Sequence, residues 1–234
     1  MTPAADVPPR LRRAGRPITS VERELPSTPR GVRTRAKLIA AARVVFERDG
    51  YLDARLVDIT TEAGTSAGSF YTYFESKEEV FTAVLADVEE EMLHPAVRKI
   101  TDGDDPVAVI RESNRAYLES YRRNTRFMQL LDQVASIDEE FREVRRRRGD
   151  AFTRRNARGI RDLQARGLAD PDVNPLLAAS ILSGMVGRAA YTNFVLGEDW
   201  DFEELVESLT RLWAGALHIN MHEAKSVAPE RVEE

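Results

Sequence analysis

The stretch "DGYLDARLVDITTEAGTSAGSFYTYFESKEEVF", residues 49–81, decides how the chain is read. Ile59 and Ala63 fall four apart in a short helical segment over 56–63, and Gly64 follows where a backbone must turn without a side chain in the way. Ser66 can then cap a second short segment running through Tyr73. Ser76 and Glu79 form a capping box that opens a longer helix with Val80, Phe81, Val84, Leu85, Val88 and Met92, ended or kinked by His94-Pro95. Upstream, Thr28 and Pro29 start a helix whose stripe is Leu38, Ile39, Ala42, Val45 and Phe46, with Gly50 placed as its C-cap. Two short helices meeting at Gly64-Thr65 between two longer ones read as a helix-turn-helix module, whose second helix enters the DNA major groove by its first turn.

This reading sorts the aromatic cluster. Phe70 and Phe74, four apart, anchor the module on its core, while Tyr71 and Tyr73 turn outwards. Ser66, Ala67, Ser69 and Thr72 form the outer face of the second short helix. Its serines can donate to base edges or phosphates, the tyrosine hydroxyls can reach the backbone, and Lys77 can pair with a phosphate.

Helical signals continue to the end of the chain, and no strand pattern competes with them. Pro106 opens a helix to about Arg123. Others follow over about 125–135, over 138–166 behind a second capping box from Ser136 to Glu139, from Pro175 for about twenty residues, and from Asp201. The predicted fold is all-α: a basic disordered arm (1–28), a three-helix helix-turn-helix domain (29–78), a linking helix (76–95), a helical ligand-binding and dimerisation domain (96–223) and a disordered tail (224–234).

Composition narrows the chemistry. The 234 residues contain no cysteine, which excludes disulfides, thiolate zinc sites and a cysteine nucleophile. No run of about eighteen apolar residues and no secretory leader is present, so a cytoplasmic protein with no membrane contact is expected. The net charge is −5, yet residues 1–45 hold ten Lys/Arg against three Asp/Glu, and residues 141–166 repeat that balance. Two basic regions lie in an acidic chain, and the first suits phosphate neutralisation.

At these residues the sequence resembles the TetR family of transcriptional regulators. Gly50-Tyr51, Asp58-Ile59, Ala63-Gly64, Ser66, Gly68, Phe70-Tyr71, Tyr73-Phe74, Lys77 and Val80-Phe81 fall in step with that family's N-terminal signature. The resemblance covers residues 33–81 and implies an all-helical homodimer with a variable ligand-binding domain, whose ligand releases DNA. It also implies DNA contacts at Ser66, Ser69, Tyr71, Tyr73 and Lys77. Two departures stand out: Ala54-Arg55 replaces the Thr or Ser that often begins the second helix, and Ala67 removes one base contact.

Arg33 and Arg35 join the expected DNA-binding set, together with Arg16 of "RRAGRP" (12–17), a Gly-Arg-Pro segment suited to a narrow minor groove. Helices 175–195 and 201–220 are apolar over more than one face and are expected to form the homodimer interface, with Gly184 and Gly187 permitting close helix approach. Tyr117, Tyr121, Phe127, Met128, Leu131, Phe152 and Tyr191 are the expected effector-pocket lining, with Arg148 and Arg155 holding an anionic part such as that of an acyl-CoA-like effector. The expected partners are a double-stranded DNA operator and a small lipophilic effector that releases a repressor from it. No cofactor, metal site or catalytic residue is expected. Two alternatives compete: an all-helical metal-binding enzyme built on His218, His222 and Glu223, and a helix-turn-helix fold repurposed for protein binding.

Overall fold

A computed structural model describes residues 26–93 and 105–219. Among the described residues there are nine helices and no strand: α1 Pro29–Asp53, α2 Leu56–Glu62, α3 Ala67–Tyr73, α4 Lys77–Leu93, α5 Pro106–Arg123, α6 Thr125–Ile137, α7 Glu139–Ala165, α8 Pro175–Phe194 and α9 Phe202–Ala216. The arm with Arg16, His94-Pro95, and His222 with Glu223 lie outside the described residues, as does the Arg148 side chain. None of the described helices is long and apolar enough to cross a membrane.

The caps explain where the helices begin. Thr28 accepts from Gly31 N with Pro29 at the first position, Asp105 accepts from Val107 N before Pro106, and Asn174 accepts from Leu176 N and Leu177 N before Pro175. Each side chain satisfies a donor that the helix cannot, and each proline occupies a position with no hydrogen bond to lose. Gly50, at φ 79°, bends α1, and the helix resumes for one short turn to Asp53.

Two expectations about caps are corrected. Ser76 does accept from Glu79 N (3.3 Å), but the Glu79 carboxylate reaches Glu75 N, one residue before the position a capping box prescribes. The second box, from Ser136, does not form. Asp138 caps α7 by accepting from Glu140 N and Phe141 N, while the Ser136 hydroxyl donates to Gln133 O inside α6. The acceptor one residue before the helix has the shorter reach to its first free donors.

An aromatic cluster joins the N-terminal module to the rest. Phe81 packs against Phe46, Tyr51, Phe127 and Phe141 with ring centroids 4.9–5.3 Å apart. Those rings come from α1, α4, α6 and α7, and all five side chains are buried. Each buried ring contributes about 2–3 kcal/mol of apolar burial, which seats α1 firmly on the helical body. Farther on, α5 packs against α9 and α7 against α8.

Candidate nucleic-acid interface and effector cavity

The turn between α2 and α3 is built by backbone bonds. Gly64 N donates to Thr61 O (3.0 Å) and Thr65 N to Thr60 O (2.9 Å), with Gly64 at φ 60°. This is a Schellman closure: a left-handed residue satisfies the last carbonyls of α2 and redirects the chain into α3. Arg55 stands at the N-cap of α2 without a side-chain cap bond and pairs with Asp58 instead (2.8 Å). Ser66 then caps α3, accepting from Ser69 N at 3.2 Å.

Phe70 and Phe74 are fully buried, and Tyr71 is 54% exposed. Ser66, Ala67, Gly68 and Thr72 are exposed, so the accessible face of α3 is small and polar apart from the Tyr71 ring. Ser69 and Tyr73 are half-buried. Thr72 donates to Gly68 O, and the Tyr73 hydroxyl lies beside the first turn of α1, 3.6 Å from where a Cβ on Gly31 would stand. Arg35 stacks over the Phe74 ring at 5.2 Å. Together these contacts bring the first turns of α1 alongside α3. Arg30, Arg33 and Lys37 are exposed on these turns of α1, and helical spacing in the sequence singles out neither Arg30 nor Lys37.

Lys77 departs from its expected role. Its ammonium donates to Tyr51 O (2.7 Å), Leu52 O (3.1 Å) and Ala54 O (3.1 Å) and lies 4.8 Å from the Tyr51 ring centroid. An ammonium has three hydrogens, and three carbonyls of the α1–α2 connection take them. Burial lowers its pKa despite the nearby Glu78 and Asp53. Lys77 therefore closes the end of α1, in place of the phosphate contact read from sequence. Beside it, burial and the neighbouring Glu78 push the Tyr51 phenol well above its ordinary pKa, and its hydroxyl donates to Glu78 Oε1.

A cavity of about 1150 Å³ opens between α5, α6, α7, α8 and α9. Tyr117, Tyr121, Met128, Leu131, Phe152, Arg155 and Tyr191 line it, as the sequence suggests. Phe127 does not: it is fully buried 5.3 Å from Phe81. The helical period explains the difference, since positions 128, 131 and 135 of α6 share the cavity face, whereas 127 turns towards α1 and α4. Tyr117 meets Phe152 edge-on at 5.7 Å, and Arg155 stacks on Phe152 at 5.1 Å, its pKa lowered by burial. The charged lining comprises Arg142, Arg145, Arg146, Arg155 and Arg188 against Asp132 and Asp150. Arg145 pairs with Asp132, and Arg146 with Asp150 and Glu143. Asn156, which donates to Ser183 Oγ, also lines the cavity, as does Trp213, which the sequence places only in the apolar stripe of the last helix.

Two further placements bear on function. Leu176, Leu177 and Ile181 on α8 and Leu212 on α9 are each at least 50% exposed. Gly184 is exposed with open space around it, whereas Gly187 faces inwards, where a Cβ would meet the Tyr117 hydroxyl at 3.6 Å. The space beside Gly187 is thus taken by the Tyr117 side chain of α5 and not by a helix of a second copy. His218 is held by Asp170 (2.7 Å), and no group of three metal-ligating side chains exists among the described residues.

Together these elements form a helix-turn-helix module seated on an all-helical body with a large open cavity. Residues 38–84 match the family model described as bacterial regulatory proteins, tetR family. The chain is 38% identical over 73 residues to the uncharacterized HTH-type regulator YdgC of Bacillus subtilis, covering 31% of this chain and 35% of that one. It is 26% identical over 168 residues to the probable HTH-type transcriptional regulator ArpR of Pseudomonas putida, covering 66% and 79%. To the transcriptional repressor NicS of Pseudomonas putida it is 30% identical over 99 residues, 42% and 47% of the two chains. The chain thus spans about a third of YdgC and just under half of NicS.

Among solved structures, SmeT, the repressor of the Stenotrophomonas maltophilia multidrug efflux pump SmeDEF, superposes with a TM-score of 0.66 at 21% identity over 86% of this chain and 96% of its own. The SmeT–triclosan complex gives 0.70 at the same identity, covering 86% and 100%. Residues 38–84 thus carry the N-terminal module of the tetR family of bacterial regulatory proteins. An enzyme is not favoured, since the relatives named are HTH-type regulators.

Proposed function

We propose that this protein is a homodimeric, effector-responsive repressor acting on DNA in the cytoplasm. The observation that carries the reading is the exposed face of α3, flanked by Arg30, Arg33 and Lys37 on the adjoining first turns of α1. Small residues let the helix lie deep in a major groove, and the flanking cations neutralise phosphates. Ser66, Ser69, Tyr71 and Tyr73 remain the proposed contacts from α3, with Arg33, Arg35 and the arm residue Arg16 supplying charge.

The second copy docks through α8 and α9. Leu177, Ile181 and Leu212 present apolar surface that a monomer leaves in water, and such patches mark association sites. A two-fold dimer places two recognition helices about 34–36 Å apart, one turn of DNA.

The effector occupies the cavity among α5–α9. Its aromatic and aliphatic lining suits a lipophilic molecule, and the arginine excess over aspartate suits one with an anionic group, a class that includes thioesters of coenzyme A. The fold shared with SmeT, solved with triclosan, supports a lipophilic occupant. Ligand favours a conformation with badly spaced recognition helices and so lowers DNA affinity, and DNA lowers ligand affinity by the same factor.

The test is fluorescence anisotropy on labelled duplex from upstream of the protein's own coding region, against scrambled duplex, across a salt series. Tight, sequence-dependent binding that weakens with salt is expected. Equal, weak binding to both duplexes refutes recognition of that upstream sequence.

A further inference from the structure

The contact between the DNA-binding module and the body contains one side chain that touches three of its elements. Asn124, between α5 and α6, is 1% exposed. Its Oδ1 accepts from Arg43 Nη2 of α1 at 2.7 Å, and its Nδ2 donates to Glu91 Oε2 of α4 at 3.1 Å and to Ser120 O of α5 at 2.8 Å. Each charged partner is held a second time: Arg43 by Glu47 (2.9 Å) and Glu91 by Arg123 (2.9 Å). A flat amide has an acceptor and two donors on one group, so it can bridge a cation to an anion in a site where a carboxylate has no donor and an alkyl group neither function.

The same residue is tied to the cavity wall. Asn124 N donates to Ser120 O and Tyr121 O, and Met128 N donates to Asn124 O, so it lies within one helical turn of two cavity-lining side chains, Tyr121 and Met128. In sequence the two domains are joined by the linking helix that α4 forms. The hydrogen bonds reveal a second link that does not follow the chain.

We propose that Asn124 is a positioning residue that sets how α1, and with it α2 and α3, sits on the body. Resting on the effector reading given above, it also carries a displacement of the Tyr121–Met128 wall to the DNA-binding module. Charge-assisted bonds are the strong ones, and leaving the buried Asn124 amide without them costs more than the bond returns.

The seat can be tested without DNA or effector, by amide hydrogen exchange on the full chain. In N124L, exchange in α1 across residues 38–46 is expected to accelerate about tenfold, the size that follows from losing a hydrogen bond to a charged group. Exchange in α8 and α9 stays within about twofold of wild type. R43M breaks the same link from the α1 side and should accelerate α1 about fivefold. The double variant N124L/R43M should fall short of the product of the two, because removing both partners of the bond leaves neither unsatisfied.

Three results each overturn the proposal: no acceleration in R43M, acceleration spread equally to α8 and α9, or a double variant equal to the product. Should N124L not accumulate, R43M alone still decides, since its half-buried side chain makes a milder change. Because this experiment uses no duplex, failure of the operator titration and failure of the Asn124 assignment are separately visible.

Discussion

Replacing Lys77 with methionine separates two roles that make opposite predictions. In the structure the ammonium serves three carbonyls at 2.7–3.1 Å and stacks over Tyr51. A hydrogen bond from a charged donor contributes about 1.5–3 kcal/mol. Here the three share one cation, one of the acceptors is exposed, and water replaces part of what is lost. A net loss of about 2 kcal/mol follows, also because the cation faces the negative end of α1. For a chain of this size each kcal/mol moves the melting temperature by about 2–4 °C, so K77M should melt about 4–8 °C lower by circular dichroism. The slope of log DNA affinity against log salt should remain unchanged, since no phosphate contact disappears. A phosphate ligand would do the reverse: an unaltered melting temperature with a slope shallower by about 0.9. That second pattern refutes the structural role.

The Ser120 hydroxyl is fully buried and has no hydrogen-bond partner among the described residues, so S120A should raise stability by about 1 kcal/mol, read from thermal or urea unfolding; a loss of similar size would reveal a partner for the hydroxyl. L177E/I181E puts two charges on the exposed apolar face of α8 and should convert a dimer into a monomer in analytical ultracentrifugation with helix content retained; an unchanged sedimentation coefficient contradicts docking there. Burial pushes the Glu91 pKa up, but hydrogen bonds from Arg123 and Asn124 and the charges of Arg123 and Arg43 outweigh it, leaving the carboxyl below its ordinary 4.5. A folded pKa below the unfolded one contributes stability above about pH 4.5 that is lost as pH falls through the folded value. E91Q should therefore lose less stability than wild type on acidification below that point; equal acid slopes sink the argument.

Helix positions were largely legible because they rest on local physics. The starts at Pro29, Pro106 and Pro175 follow from a capping side chain ahead of a proline, and Gly64 and Gly167 sit at left-handed closures where a side chain is resisted. The Ser136 box failed for an equally local reason, the nearer acceptor at Asp138. At the candidate DNA interface, the inward phenylalanines and outward Tyr71 were readable from helical spacing, whereas Lys77 was not. Its partners lie 23–26 residues earlier in the chain, and spacing carries no information at that distance.

By itself the sequence determined the all-helical fold, the helix-turn-helix and most of the cavity's aromatic lining, since periodicity, caps and turn glycines are written within a few residues of one another. Tertiary structure alone decided which face of α6 looks into the cavity, which glycine of α8 stays open, and that Asn124 joins Arg43 to Glu91 across 81 and 33 positions of the chain. Those outcomes depend on how helices pack. A buried polar group must find its partner wherever the packed elements supply one.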